Sequence, residues 1–225
     1  MLKTLHCLCW LLAMTVLSNN AYVENFAFKS MEEVSRKLQS ILRTKEPGKV
    51  LIAFDVDMTL TQPDHPATYY PALKKHWKIY QEIMSGLTSE QKDLVLTLTL
   101  YLPQRLVEDL IPKLVETLKS EGPKVIAFTN SLSGCWEDST HKHIFARRDT
   151  LLSMGIDFAG QFPDVISFIN FPIYTNGYPI FYHGILSANG QYQGVGKGPV
   201  LGAFLQHVED LKGHPFDSGY YYSYR

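Results

Sequence analysis

An α/β domain built on a Rossmann-like parallel sheet is the fold this sequence predicts, on three observations. The apolar run Val50-Leu51-Ile52-Ala53-Phe54 lies between Pro47-Gly48 and a polar stretch, as in a parallel strand covered on both faces. A second such run, Lys124 to Phe128, ends on Thr129-Asn130-Ser131. Around these runs the chain reads in the order strand, helical insertion, strand, helix, strands, helix, which suits a sheet with crossover helices. At 225 residues, 45% hydrophobic and 19% charged, the chain can build one sizeable core.

The N-terminus reads as an export signal. Lys3 supplies a positive start, and Ser18 or Ala21 could end a cleavage site. The apolar stretch Leu5 to Leu17 is shorter than the roughly 20 residues a spanning helix needs. The expectation is a signal peptide over 1–21 and a mature domain over 22–225, periplasmic or secreted, with no stable membrane anchor after cleavage. Cys7 and Cys9 leave with the signal, so no intrachain disulfide is expected, and Cys135 reads as packing. Ser30 to Arg43 follows as an amphipathic helix, with Ser30 and Glu33 as a capping box and Met31, Val34, Leu38, Ile41 and Leu42 on one face.

The first strand runs into Asp55-Val56-Asp57-Met58-Thr59. Alternation sends Asp55 and Asp57 to the same side, at the end of the strand where open α/β sheets bind ligands. Carboxylates held that close repel unless a cation or shared proton compensates, and a divalent metal is the favoured compensation. This run resembles the first motif of the haloacid-dehalogenase-like (HAD) superfamily, hhhhDxDxT. The resemblance implies a HAD core with a small cap, Asp55 as the nucleophile that takes a phosphoryl group, and Asp57 as the acid/base that protonates the leaving oxygen. It also implies Mg2+ held by Asp55 and the backbone carbonyl of Asp57, with Thr59 as a phosphate-binding candidate. Covalent catalysis splits one hard step into two, and a positioned acid contributes roughly 10²–10⁴-fold. Dehalogenases of the superfamily generally lack the second Asp, so its presence points towards phosphate chemistry.

Insertion of a cap between the two runs fits three candidate helices, Pro71 to Met84, Thr88 to Tyr101 and Pro103 to Ser120, with Thr88 and Gln91 as a capping box. The cap is expected over about 66–121, where it excludes water from the site. His65, Tyr69, Tyr70, Trp77 and Arg105 are candidates to face a substrate, although residues of these types more often pack or lie on the surface.

The second run matches the second HAD motif. By that resemblance Thr129 donates a hydrogen bond to a phosphoryl oxygen, with Asn130 beside it as a phosphate-binding candidate. Downstream, His141 to Met154 reads as a helix ending at Gly155. Phe162 to Phe168 and Tyr178 to Leu186 read as strands, with turns at Asn176-Gly177 and Asn189-Gly190.

Lys197, in Gly194-Val195-Gly196-Lys197-Gly198-Pro199, precedes an apolar helix through Val200, Phe204 and Val208 and resembles the third motif. A lysine there sets a point charge and a helix dipole beside an anion; the competing reading is a glycine loop with a solvated lysine. A P-loop is excluded, because Gln191 and Gly198 stand where its first glycine and its Ser or Thr belong.

The fourth motif, an apolar strand ending in acids that complete the Mg2+ site, is missing. Asp217 follows His214-Pro215-Phe216, which cannot supply a central strand. Either Asp217 is a weak stand-in ligand or the tail is a truncated or altered end, and the second is favoured. Arg147 to Phe158, with the export signal and the Asp-Met-Thr variant, resembles a little-characterised group of exported HAD-like bacterial proteins. The net charge of −1 and the lack of a basic run give no general pull towards nucleic acid. The expectation is an exported, Mg2+-dependent hydrolase of small phosphomonoesters. The alternatives are a catalytically impaired HAD-like protein that binds a ligand or partner, and phosphotransfer to an alcohol.

Overall fold

The computed structural model describes residues 28–65, 68–134, 143–163, 165–190, 196–212 and 216–223. The expected signal peptide and Cys135 lie outside the described residues. In chain order the elements are α1 (Met31–Leu42), a short 3-10 turn, β1 (Val50–Phe54), β2 (Thr61–Pro63), α2 (Tyr70–Lys75), α3 (Trp77–Ser85) and α4 (Ser89–Tyr101). They continue with β3 (Gln104–Leu106), α5 (Ile111–Glu121), β4 (Lys124–Thr129), α6 (His143–Ser153), β5 (Val165–Ser167), β6 (Ile180–Tyr182), β7 (Ile185–Ser187), α7 (Lys197–Lys212) and β8 (Ser218–Tyr222). No helix among the described residues is long and apolar enough to cross a membrane.

The two apolar runs pair at the centre of a sheet ordered β5-β6-β7-β4-β1-β8. β1 is parallel to β4, Leu51 opposite Lys124 and Phe54 opposite Ala127, and β4 is parallel to β7. β5 and β6 extend the sheet antiparallel, so the fold is α/β with a mostly parallel sheet. Its two faces bury different residues. Ile52, Phe54, Val125 and Ala127 pack with α1, α5 and α6. Leu51, Ala53, Ile126 and Phe128 pack with Val200, Phe204 and Val208 of α7. Covering both faces explains why β1 is buried at every position.

Capping reads through into structure. Thr88 and Gln91 form a reciprocal capping box at α4. At α1 the Ser30 hydroxyl accepts from Glu33 N at 3.3 Å, but Glu33 returns its bond to Lys29 N rather than to Ser30.

Several expectations change, and the helix expected over Pro71 to Met84 breaks at His76 into α2 and α3. The helix expected over Pro103 to Ser120 divides. Gln104–Leu106 becomes β3, antiparallel to β2, and α5 buries Ile111, Leu114, Val115 and Leu118 in the main core. The helical insertion is therefore α2 to α4, closed by the β2–β3 hairpin, and α5 belongs to the sheet layer. The strand expected over Tyr178 to Leu186 is a hairpin, β6 and β7, that turns at His183-Gly184 with positive φ of 45° and 87°. A Cβ on Gly184 would lie 2.2 Å from the Phe158 carbonyl oxygen, so no side chain fits there. The tail, whose folding the sequence leaves open, forms a strand after Asp217. β8 lies parallel to β1, from Val50 opposite Ser218 to Phe54 opposite Tyr222. Pro215 precedes it in sequence and withholds no donor from its ladder, and tyrosine suits a pleated surface.

Candidate active site at the end of β1

The Asp55 amide donates to the Tyr222 carbonyl at 2.7 Å, which carries the β1–β8 ladder one residue beyond β1. The chain then folds into a tight turn. Amides of Thr59, Leu60 and Thr61 all donate to the Val56 carbonyl, at 3.2, 2.9 and 3.0 Å. Val56 and Leu60 are fully buried and anchor the turn, leaving Asp57 exposed at its tip. Met58 takes a positive φ of 65°, and its amide closes the turn on Thr61 O at 2.7 Å.

The two carboxylates face different cations. Asp55 Oδ1 accepts from Val56 N at 3.0 Å and from the Lys197 ammonium. Lys197 also donates to the Phe128 carbonyl at 3.0 Å and the Tyr221 hydroxyl at 2.8 Å. Its Nζ lies 5.3 Å from the centres of both the Phe128 and Tyr221 rings. Asp57 Oδ1 meets Arg147 Nη1 at 2.9 Å, and its Oδ2 accepts from Thr129 Oγ1 at 3.1 Å. Thr129 Oγ1 in turn accepts from Ser131 N at 3.0 Å, so its own proton is directed at Asp57.

Burial pushes the Asp55 carboxyl above its ordinary value, the Lys197 charge opposes that, and the Asp57 charge adds to it. Tyr221 is raised too, by burial first and then by the Asp55 charge, which keeps it a phenol.

Asp55, Asp57, Thr129 and Lys197 thus converge. Lys197 is tied down on three partners rather than solvated in a loop. Thr59 is fully buried within the turn. Asn130 Oδ1 and Ser131 Oγ, just past Thr129, are buried without a hydrogen-bond partner among the described residues. Asp217 is elsewhere. It stands before β8, its amide bonded to Lys49 O at 3.1 Å and its carboxylate 3.6 Å from Lys49 Nζ. Since β1 and β8 run parallel, Asp217 lies at the opposite end of β1 from Asp55, roughly 16–20 Å away at strand rise. The expectation that it ligates metal beside Asp55 and Asp57 is corrected.

Among the insertion candidates, Arg105 pairs with Asp64 at 3.7 Å on the β2–β3 hairpin, and Trp77 stacks on Tyr80 at 5.0 Å. His65 is exposed, Tyr69 is half-buried, and Tyr70 opens α2. A groove of about 520 Å3, lined by Tyr101, Gln104, Phe145, Asp149 and Ser153 among others, runs between the end of the insertion and α6.

Two site residues escaped the sequence reading. Arg147 sits at helical spacing on the buried stripe Ile144, Arg147, Leu151, and a cation on such a stripe is the signal that could have found it. Tyr221 had no signal, because its place depends on β8 pairing with β1.

As a metal site, the donors are sparse. No group of three or more His, Cys, Asp or Glu converges among the described residues. Mg2+ takes one or two protein carboxylates when phosphate and water fill the other positions. The Asp55 carboxylate, whose Oδ2 is not engaged among the described residues, would fit Mg2+ together with the Asp57 backbone carbonyl and a phosphorylated ligand, whereas both Asp57 carboxylate oxygens already hold partners.

Residues 27–212 match a family described as "Protein of unknown function (DUF2608)". An uncharacterized protein of Rickettsia bellii (strain RML369-C) is 24% identical over 179 residues, 74% of this chain. The chain spans 59% of that relative's length. No solved structure matches. The family match runs from before α1 to the end of α7 and takes in Asp55, Asp57, Thr129, Arg147 and Lys197, and by it the chain belongs to the DUF2608 family.

Proposed function

We propose that this protein is an exported hydrolase of small phosphomonoesters that works through a phosphoaspartate on Asp55. The observation that carries the reading is the pair of carboxylates at the end of β1, with Lys197 on one and Arg147 and Thr129 on the other. The likeness of these positions to the HAD motifs supports it.

In this reading an Asp55 oxygen attacks phosphorus and the bond to the leaving oxygen breaks, while Asp57 gives that oxygen a proton. Asp57 then takes a proton from water as the water attacks phosphorus, the phosphorus–Asp55 bond breaks, and phosphate and the carboxylate are restored. Lys197 holds Asp55 Oδ1 and sets positive charge beside the incoming phosphoryl oxygens. The Asp55 carboxylate and the Asp57 backbone carbonyl would hold Mg2+, which would supply neutralisation of phosphate charge. The α2–α4 insertion serves as the cap that limits water.

A second reading, binding without efficient turnover, is favoured by one observation: each carboxylate already has a cation partner within the protein. Steady-state turnover of an aryl phosphate with Mg2+, with and without chelator, tests the proposal. Hydrolysis that falls about 10³-fold or more in Asp55→Asn supports it. Tight phosphate binding without turnover supports the second reading.

A further inference from the structure

Arg147 has no assigned role, and its surroundings are unusual for a structural ion pair. Its side chain is 6% exposed, whereas the Asp57 side chain it meets is 50% exposed. The guanidinium therefore stands behind the carboxylate, on the core side, and the carboxylate faces the open end of the sheet. Its Nε is buried without an acceptor among the described residues, so the contact through Nη1 is what Arg147 makes at this site. A buried guanidinium needs a partner. Arg147 holds one oxygen of Asp57 and Thr129 the other, and two anchors on the two oxygens fix the plane of the carboxyl group as well as its position.

Asp57 needs such support. It is at the tip of a turn, next to Met58 in a left-handed conformation, and short turns do not by themselves hold a side chain to catalytic tolerance. We propose that Arg147 is the positioning residue for Asp57, aiming its carboxyl group at the leaving oxygen from behind without touching substrate. This rests on the hydrolase reading above. Proton transfer itself stays with Asp57, and Arg147 acts only through it.

The test compares two esters, a nitrophenyl phosphate whose leaving group needs little acid help and an alkyl phosphate that needs much, in wild type, Arg147→Met, Arg147→Lys and Asp57→Asn. The expected result is that Arg147→Met loses kcat on the alkyl ester about tenfold more than on the nitrophenyl ester. KM should stay within about twofold, and Arg147→Lys should recover part of the loss. Adding Arg147→Met to Asp57→Asn should cost nothing further on either ester. Equal losses on both esters would overturn the proposal while leaving the hydrolase reading standing, as would a rise in KM with kcat unchanged, which marks a substrate-binding cation. If Arg147→Met does not fold, the comparison of Arg147→Lys with wild type carries the same leaving-group test. Should wild type turn over neither ester, the hydrolase reading fails and the aiming role fails with it. Melting temperatures of the two single variants and their double then decide whether the contact itself exists: losses that do not add retain it, and additive losses refute it.

Discussion

Asp55 shows how a site residue can weigh against the fold that holds it. Burial raises its carboxyl pKa above the ordinary 3.8, with Lys197 only partly opposing. A raised carboxyl keeps its proton longer in the folded chain than in the unfolded one. Its contribution to stability is therefore full below the ordinary carboxylate range and lost as pH rises through the raised value. At neutral pH the charged group is a net cost. Asp55→Asn is thus expected to melt no lower than wild type near neutrality, with the difference shrinking in acid, while turnover is lost. Melts followed by circular dichroism across that range check it; a variant melting well below wild type at neutrality would mean that the Lys197 contact outweighs burial. Lys197 itself is expected to matter to the anion more than to the fold. Replacing it with methionine keeps the stem against Phe128 and Tyr221 but removes the charge, and vanadate or phosphate affinity should fall about 10²-fold. Unchanged affinity would return Lys197 to a purely structural part.

At the scale of elements, α6 and β8 carry the sharpest expectations. His143, which opens α6, is fully buried, and burial lowers its pKa below the ordinary 6.5. The unfolded chain then binds the proton first as pH falls, so stability from this group is full above the ordinary value and lost as pH drops through the lowered one. His143→Gln should flatten that acid-side slope of melting temperature against pH. In β8 the Tyr222 carbonyl points at Asp55, and alternation turns the backbone of Tyr220 to the same side. Tyr220→Pro removes a ladder donor and is expected to cost about 1–3 kcal/mol by denaturant unfolding. β1 and β4 were legible because a continuous apolar run bounded by breakers has few other homes. The β3–α5 boundary was less so: Pro112 marks the start of α5, but only pairing with β2 makes Gln104–Leu106 extended. β8 was hidden for the same reason: Ser-Gly-Tyr-Tyr-Tyr becomes a strand through a neighbour more than 160 residues away in sequence.

For the whole molecule, the parallel arrangement of β1 and β8 separates Asp217 from Asp55 and Asp57. Asp217 belongs to the end of the sheet where β1 begins, with Lys49, and Asp55 and Asp57 to the end where it stops. Asp217→Ala is accordingly expected to leave Mg2+ affinity and turnover unchanged and to shift stability by no more than about 1 kcal/mol, as an exposed pair does. Loss of Mg2+ binding in that variant, followed by titration calorimetry with phosphate present, would contradict the placement. The central claim concerns a bond to Asp55, and the most direct test is rapid acid quench during turnover followed by mass spectrometry of peptides spanning β1. The account predicts a phosphoryl group on Asp55 in wild type, more of it when Asp57→Asn slows its hydrolysis, and none in Asp55→Asn. Turnover with no phosphorylated Asp55 in either of the first two, or with the phosphoryl group on another residue, would contradict it.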